Sequence, residues 1–368
     1  MHPDLIYRLA LTLIPHIGPI QAKILLQHYN APDIFKAKKR ELEKIEGIGT
    51  IRADAIKSFS DFKKAEEEIQ FIQKFRITPL FITDEQYPRR LLNCYDPPTL
   101  LYFKGSADLN QSKIVSIIGT RNNTSYGKHI TEKLVQGLSE QNILVVSGLA
   151  FGIDAIAHKS AIKYNCATVG VLAHGLDQVY PSQHLGLAKE MIKSGGGLLT
   201  EFRSKTDPDR HNFPTRNRVV AGMSDATIVV ETGLKGGSMI TAELANNYNR
   251  DVFAIPGKIT DPKSEGCHFL VRNNKAWLLT DACELLEIMG WEKKALGQKE
   301  AVKQRALFID LKPDEKLVLS LLDRKDSMHI DEINAQSGLS SSSVAAAILN
   351  LELQNVILSL PGKLYRLA

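Results

Sequence analysis

The sequence predicts an α/β protein whose middle is an extended, doubly wound Rossmann-like sheet, with a small helical module before it and a second small module after it. Three observations carry that prediction. From residue 114 onward, short apolar runs without breakers alternate with helix-patterned stretches over about 170 residues, as in sheets whose parallel strands are joined by helices. Several of these runs lead directly into glycine-bearing polar loops, as buried parallel strands do at their carboxyl ends. The composition, 43% hydrophobic and 24% charged over 368 residues, is that of an ordinary globular chain with length for two or three domains.

In order along the chain, residues 1–78 form the first module. Residues 14–20 run into 21–28, and residues 45–51 run into 52–58; each is an apolar residue, a glycine turn and a helix. The pair resembles a tandem helix-hairpin-helix (SAM-like) arrangement, in which glycines let helix-start amides approach a DNA phosphate. Such hairpins also simply pack short helices, or contact proteins. A charged helix over 61–76, with Phe62, Ile69 and Ile72 on one face, ends near Pro79. Residues 79–110 read as an extension lying on the sheet.

The large domain spans 79–290. Buried strands are expected at 114–118, 143–146, 169–172, 197–200, 226–230, 252–255 and 276–279, with helices such as 126–140, 183–193 and 239–249 between them. Residues 291–312, rich in Lys and Gln, read as a linker. In 313–368, helices at 314–322, 330–336 and 340–353 precede a strand pair at 356–366 closed by Pro361-Gly362, the winged-helix pattern. Its third helix, SSSSVAAAILNLELQ, has no Lys or Arg, which favours a structural or partner-binding module over base reading.

Net charge +5 and a pI near 8.8 permit a polyanionic partner without requiring one. The cysteines Cys94, Cys166, Cys267 and Cys283 show no CxxC or Cys/His spacing, so neither a metal site nor a disulfide framework is expected, and a reducing cytoplasm fits. The apolar run at 9–14 is cut by Pro15 and His16, so neither a signal peptide nor a membrane span is expected.

Chemistry-bearing residues collect at the strand ends. Gly119-Thr120-Arg121 offers a turn and a guanidinium, and Ser147, Gly148 and Gly152 frame a second loop at a helix start. Arg210, Phe213, Arg216, Asn217 and Arg218 place three arginines around an aromatic and an amide, and Lys235, Gly236 and Ser238 open another helix. These read as four loops at equivalent strand ends, which the fold brings to one edge as a surface for several phosphates. The first loop lacks GxGxxG and carries an arginine instead, which disfavours a dinucleotide; the last lacks the Walker spacing. Glu201, Asp154, Glu231 and Glu243 lie nearby, but no histidine is paired with a nucleophile at a recognisable spacing, and such acids commonly hydrogen-bond glycine loops. A binding surface is therefore expected, with no catalytic residue, cofactor or metal.

Taken together and in order, GTR with SYG, SGLAFGIDAIAH, TVGVLAHGLDQVYP, GGLLTEF, FPTRNRVVAGMSDATIVVE, GGSMITAELA and RDVFAIPG resemble the DprA/Smf family of DNA-processing proteins. The resemblance is dense over residues 87–281. It implies an extended Rossmann fold that binds and protects single-stranded DNA, helps load RecA on it during natural transformation, and dimerises through this domain. It assigns Arg121 as the principal phosphate contact, with Arg210 and Phe213 beside it and Arg216, Asn217 and Arg218 in the FPxRNR box. Phe151 departs from the pattern, since many relatives carry a basic residue there. The dimer surface is expected around 265–277, where the apolar residues are equally compatible with core. The alternative is a nucleotide-processing, phosphoribohydrolase-like enzyme on the same fold, with Glu243 as its acid; the GGSMITAE loop matches that pattern only partly.

Overall fold

The structure is a computed structural model that describes residues 4–291, 311–354, 356–360 and 362–367. Two compact units make up the chain, Met1–Leu278 and Leu279–Ala368.

The first unit begins with six helices: α1 (Leu5–Leu11), α2 (Pro19–His28), α3 (Ala31–Lys36), α4 (Lys39–Glu43), α5 (Gly49–Ser58) and α6 (Phe62–Phe75). Leu9, Leu25, Ile34, Leu42, Ile56 and Ile72 fill their common core, and Tyr7, Phe35, Phe59 and Phe62 form a ring cluster beside it. The two expected hairpin turns are present and tied together, because Arg52 donates to the carbonyls of both His16 (3.2 Å) and Gly47 (3.0 Å). Helix α6 stops before Pro79, on a left-handed Arg76 with φ 51. Arg8 pairs with Asp84 at 2.6 Å, and Lys23 donates to the carbonyls of Leu92 and Cys94, so these helices are pinned to the α/β part of the unit.

That part alternates β1 (Thr78–Phe81), α7 (Arg89–Leu92), β2 (Leu100–Gly105), β3 (Ile114–Ile118), α8 (Ser125–Ser139), β4 (Leu144–Ser147), α9 (Ile153–Lys163), β5 (Thr168–Val171), α10 (Leu185–Lys193), β6 (Gly197–Thr200), α11 (Asn212–Met223), β7 (Ala226–Val229), α12 (Gly237–Asn247), β8 (Asp251–Ala254), α13 (Glu265–Arg272) and β9 (Trp277–Leu278). The nine strands form one sheet in the order β1-β2-β6-β5-β4-β3-β7-β8-β9. From β6 to β9 all neighbours are parallel, and strands such as β3 are buried at every residue, which is why their sequences are continuous apolar runs rather than alternating ones. Because β3 lies between β4 and β7, the chain winds outward in both directions from it. The crevice at the carboxyl ends of β3 and β7 is thus the switch point, where ligands of such sheets sit.

Residues 79–110 do not lie on the sheet as expected; they extend it. β1 and β2 add two antiparallel edge strands beyond β6. The helix expected at 239–249 begins two residues earlier, at Gly237.

In the second unit, α14 (Ala282–Ile288) precedes α15 (Pro313–Leu322), β10 (Met328–His329), α16 (Ile330–Ser337), α17 (Ser341–Leu353), β11 (Ile357–Leu360) and β12 (Leu364–Leu367). The small antiparallel sheet has the order β10-β12-β11, and Val318, Leu322, Ile333, Val344, Leu351 and Ile357 make the core of this winged helix. Ser340 caps α17 by accepting from the Ser343 amide. Helix α17 leaves Leu349 and Leu353 exposed. Most of the expected linker, and Pro361 of the expected turn, lie outside the described residues.

Candidate nucleic-acid interface

The loops leaving β3 and β7 are stitched together by Glu231, which ends the β7 run and is buried. Its backbone carbonyl accepts the Thr120 amide at 2.7 Å; its carboxylate accepts the Thr124 amide at 2.9 Å and the Thr124 hydroxyl. Thr124 in turn caps α8 by accepting the Gly127 amide at 3.0 Å. A buried carboxylate with several donors aimed at it is a rigid fixture, and here it sets the position from which Arg121 projects.

The loop leaving β4 is held from beneath. Ser147 donates to the Ile117 carbonyl at 2.6 Å, and His184 Nδ1 donates to the Leu149 carbonyl at 2.8 Å. His158 Nε2 meets the Gly148 carbonyl at 2.5 Å, while Nδ1 faces the Thr168 hydroxyl at 2.7 Å. Since a carbonyl can only accept, Nε2 carries the proton. Burial pushes the His158 pKa down to about 4, so the ring is neutral at pH 7. Gly152 closes the loop with φ 78; a Cβ there would lie 2.2 Å from the Thr120 carbonyl oxygen, so only glycine lets these two loops meet.

Above both loops stands the first half of α11. The stretch read from the sequence as an arginine-bearing loop is helical from Asn212 onward, with Pro214 in the first turn, where its missing N–H is harmless. Helical spacing then sorts its side chains. Phe213, Arg216, Asn217 and Val220 fall on one face and all line a cleft of about 340 Å³. Arg216, 6% exposed, donates to the Val171 carbonyl and to Asn217 Oδ1. It packs with Asp154 over Gly148, where a Cβ would lie 2.4 Å from Arg216 Nη1 and 2.5 Å from Asp154 Oδ2. Burial raises the Asp154 pKa and lowers that of Arg216, and each partner's charge opposes the other's shift. The guanidinium carbon of Arg121 sits 5.2 Å from the Phe213 ring centre and that of Arg216 6.0 Å, with the Tyr180 ring 6.2 Å from Phe213. An aromatic face flanked by cations is the arrangement that stacks a base and holds the adjacent phosphates.

The opposite wall is the start of α12. Gly236 is its N-cap, the Ser238 hydroxyl donates to Thr232 Oγ1 at 2.7 Å, and Gly233, Gly236, Gly237 and Ser238 all line the cleft. First-turn amides and the helix dipole make this an anion-binding wall facing Arg121. A narrower pocket continues beside it, shared by Arg121, Phe213, Tyr180 and Phe151; Tyr180 is 48% and Phe151 44% exposed. Where relatives were expected to carry a basic residue, this chain thus offers another ring.

Of the expected site residues, Gly119, Thr120, Arg121, Gly148, Phe213, Arg216, Asn217, Gly236 and Ser238 converge on the cleft. Ser147 and Gly152 lie behind it as loop supports, Arg210 is exposed on the segment leading into α11, and Lys235 is exposed at the loop tip before α12. Arg218 is placed elsewhere. It follows Asn217 by about 100° around the helix, which turns it to the other side, where it pairs with Glu201 and donates to the Asp96 carbonyl. Burial pushes the Glu201 pKa up to about 7 against the pull of Arg218. Thr232, Thr241 and Tyr180 line the site without having been singled out; the signal for the first two was their place around the GGSMIT turn. Glu243 does not line the cleft and instead faces Lys275 at 3.5 Å.

Residues 78–290 match the family described as DNA recombination-mediator protein A, and residues 304–363 match the DprA winged helix domain. A protein Smf of Synechocystis sp. is 33% identical, with 98% of each chain covered. The X-ray structure of DNA processing protein A from Streptococcus pneumoniae superposes with TM-score 0.65 at 30% identity, over 78% of this chain and 97% of that one. A structure of DNA processing protein A from Helicobacter pylori, concerned with its single-stranded DNA binding mode, superposes with TM-score 0.53 at 30% identity, over 58% of this chain and 94% of that one. With the match to the first family covering more than half of its residues, the chain belongs to the DprA/Smf family of DNA recombination mediators.

Proposed function

We propose that the protein binds single-stranded DNA along the carboxyl edge of its large sheet, protects it, and presents it to a RecA-type recombinase during natural transformation. The observation that carries this reading is the convergence of Arg121, Phe213 and Arg216 with the start of α12 around one open cleft. Cations and helix-start amides hold phosphates without regard to sequence, and exposed rings accept any base. The protein acts as a binding protein rather than a catalyst; Glu243, the acid that an enzymatic reading needs, is turned to Lys275 outside the cleft. It works as a homodimer through the α/β domain. In support, the short edge strand β9 exposes Trp277 (58%) and Leu278 (44%), an apolar pair on a sheet edge that pairing with a second copy would cover. Cytoplasmic residence accords with such a role, and among the described residues no helix is long and apolar enough to cross a membrane.

The test is a fluorescence-anisotropy titration with matched single- and double-stranded oligonucleotides, beside an assay for base release from nucleoside monophosphates. Preferential single-strand binding without base release is expected. Base release that Glu243→Ala abolishes, with no DNA binding, would overturn the proposal.

A further inference from the structure

A second cleft, of about 390 Å³, opens where the loop after β6 meets the N-terminal helices, with Arg203, Phe202, Phe59 and Lys64 among its walls. It lies on the same edge of the sheet as the first, because β6 is parallel to β5, β4 and β3 and the loop leaves its carboxyl end. Three strand spacings, about 14 Å, separate the exits of β3 and β6. The cleft is a built feature rather than a gap between loose parts. Glu68 of α6, buried, accepts the Ser204 amide at 2.9 Å and the Ser204 hydroxyl at 2.6 Å, which locks the helical module onto the loop.

The ground between the two clefts is continuous. The loop after β5 carries Tyr180 into the aromatic pocket, and is bonded to the β6 loop through the Gly175 amide to the Thr206 carbonyl at 3.0 Å and the Lys205 amide to Asp177 Oδ1 at 3.1 Å. From Asp207 the chain then passes the exposed Arg210 and enters α11 at Phe213's turn. Charge in the second cleft favours an anion. Glu201 pairs with Arg218 through Oε2, while its buried Oε1 meets no partner among the described residues. Burial pushes its pKa up to about 7, which lessens its negative charge. Asp61 is held by Lys64 at 2.5 Å, which is the main reason its pKa is lowered. Arg203 is exposed, its carbonyl accepts the Thr206 amide, and its guanidinium makes no hydrogen bond or ion pair among the described residues. Lysine has three donors and arginine five, so a phosphate can bridge Lys64 and Arg203 while Lys64 keeps Asp61.

We propose that this cleft is a second phosphate-binding subsite for the same single strand, so that the helical module contributes to the DNA track through Lys64 of α6 and not through its glycine hairpins. The inference rests on the function proposed above. It is tested with the full chain and oligo(dT) from about 4 to about 16 nucleotides, the range of site sizes for a small single-strand module. The double variant Lys64→Ala/Arg203→Ala is expected to bind the shortest oligonucleotides like the wild type. On the longest it loses at least about threefold in affinity, and its salt slope flattens by about 1.4, or about 0.7 for each of two phosphates. Lys104→Ala, at the opposite end of the strands where Lys104 pairs with Leu198, changes neither. Equal loss at every length, or an unchanged slope on long strands, overturns this inference alone. A wild-type chain that binds no single strand of any length overturns the function itself.

Discussion

Removing the Arg121 guanidinium and removing the Phe213 ring perturb the same cleft in ways that salt separates. Arg121→Ala deletes one phosphate partner, so the slope of log affinity against log salt should flatten by about 0.7. Raising salt from about 50 to about 200 mM would then shrink the wild-type advantage by about 2.6-fold. Phe213→Ala removes a stacking face worth about 1–3 kcal/mol, a loss of about 5- to 150-fold, with the slope unchanged because no counterion is involved. The two are not independent. With the Arg121 guanidinium carbon 5.2 Å from the ring centre, each side chain orients the other, and the double variant should lose about 0.5–1 kcal/mol less than the two singles together. Anisotropy titrations of single-stranded DNA at several salt concentrations supply all four affinities. An unchanged slope in Arg121→Ala would remove it from the phosphate path; a slope as flat in Phe213→Ala as in Arg121→Ala would mean that the ring serves only to position the arginine.

Three further perturbations test the supports of the site. Gly148→Ala drives a methyl against Arg216 and Asp154, which are both buried and cannot both swing away; single-strand affinity should fall and stability drop by about 1–3 kcal/mol, and a variant as stable and as tight as wild type would refute that packing. Glu231→Gln puts an amide where the Thr124 N–H and hydroxyl need an acceptor, costing about 1–3 kcal/mol, read as a lower denaturation midpoint. For His158, the folded pKa of about 4 lies below the ordinary 6.5, so between those values the unfolded chain takes up a proton that the folded one refuses. Its stabilising contribution is therefore complete above pH 6.5 and is lost as pH falls toward 4, to a total of about 3 kcal/mol. His158→Gln, which keeps a donor for the Gly148 carbonyl, should lose that part of the pH dependence, and identical pH profiles for the two proteins would show that His158 does not carry it.

The parallel strands were legible because each is buried on both faces, which forces a continuous apolar run such as Ile114–Ile118. β1 and β2 were not. Pro79 falls inside β1 and Pro97-Pro98 stand just before β2, and the strand character of Leu100–Gly105 depends on antiparallel pairing with β6, nearly a hundred residues later. In the site, the strand-end glycines and Arg121 could be read from position alone. Glu231, Asp154 and Glu201 could be read as loop-holding acids, but not which loop each holds.

What the sequence determined by itself is the parallel sheet, the carboxyl edge on which a ligand must sit, and the residue types gathered there, since these follow from local periodicity and from where glycine interrupts it. What only the tertiary structure decided is how the arginines of residues 210–218 are divided. Arg216 turns with Phe213 into the cleft, and Arg218, two positions on, is claimed by Glu201 and by the Asp96 carbonyl. The helix phase sets that division only once Asn212 is known to begin a helix, and the carboxylate that captures Arg218 is brought to it by the fold.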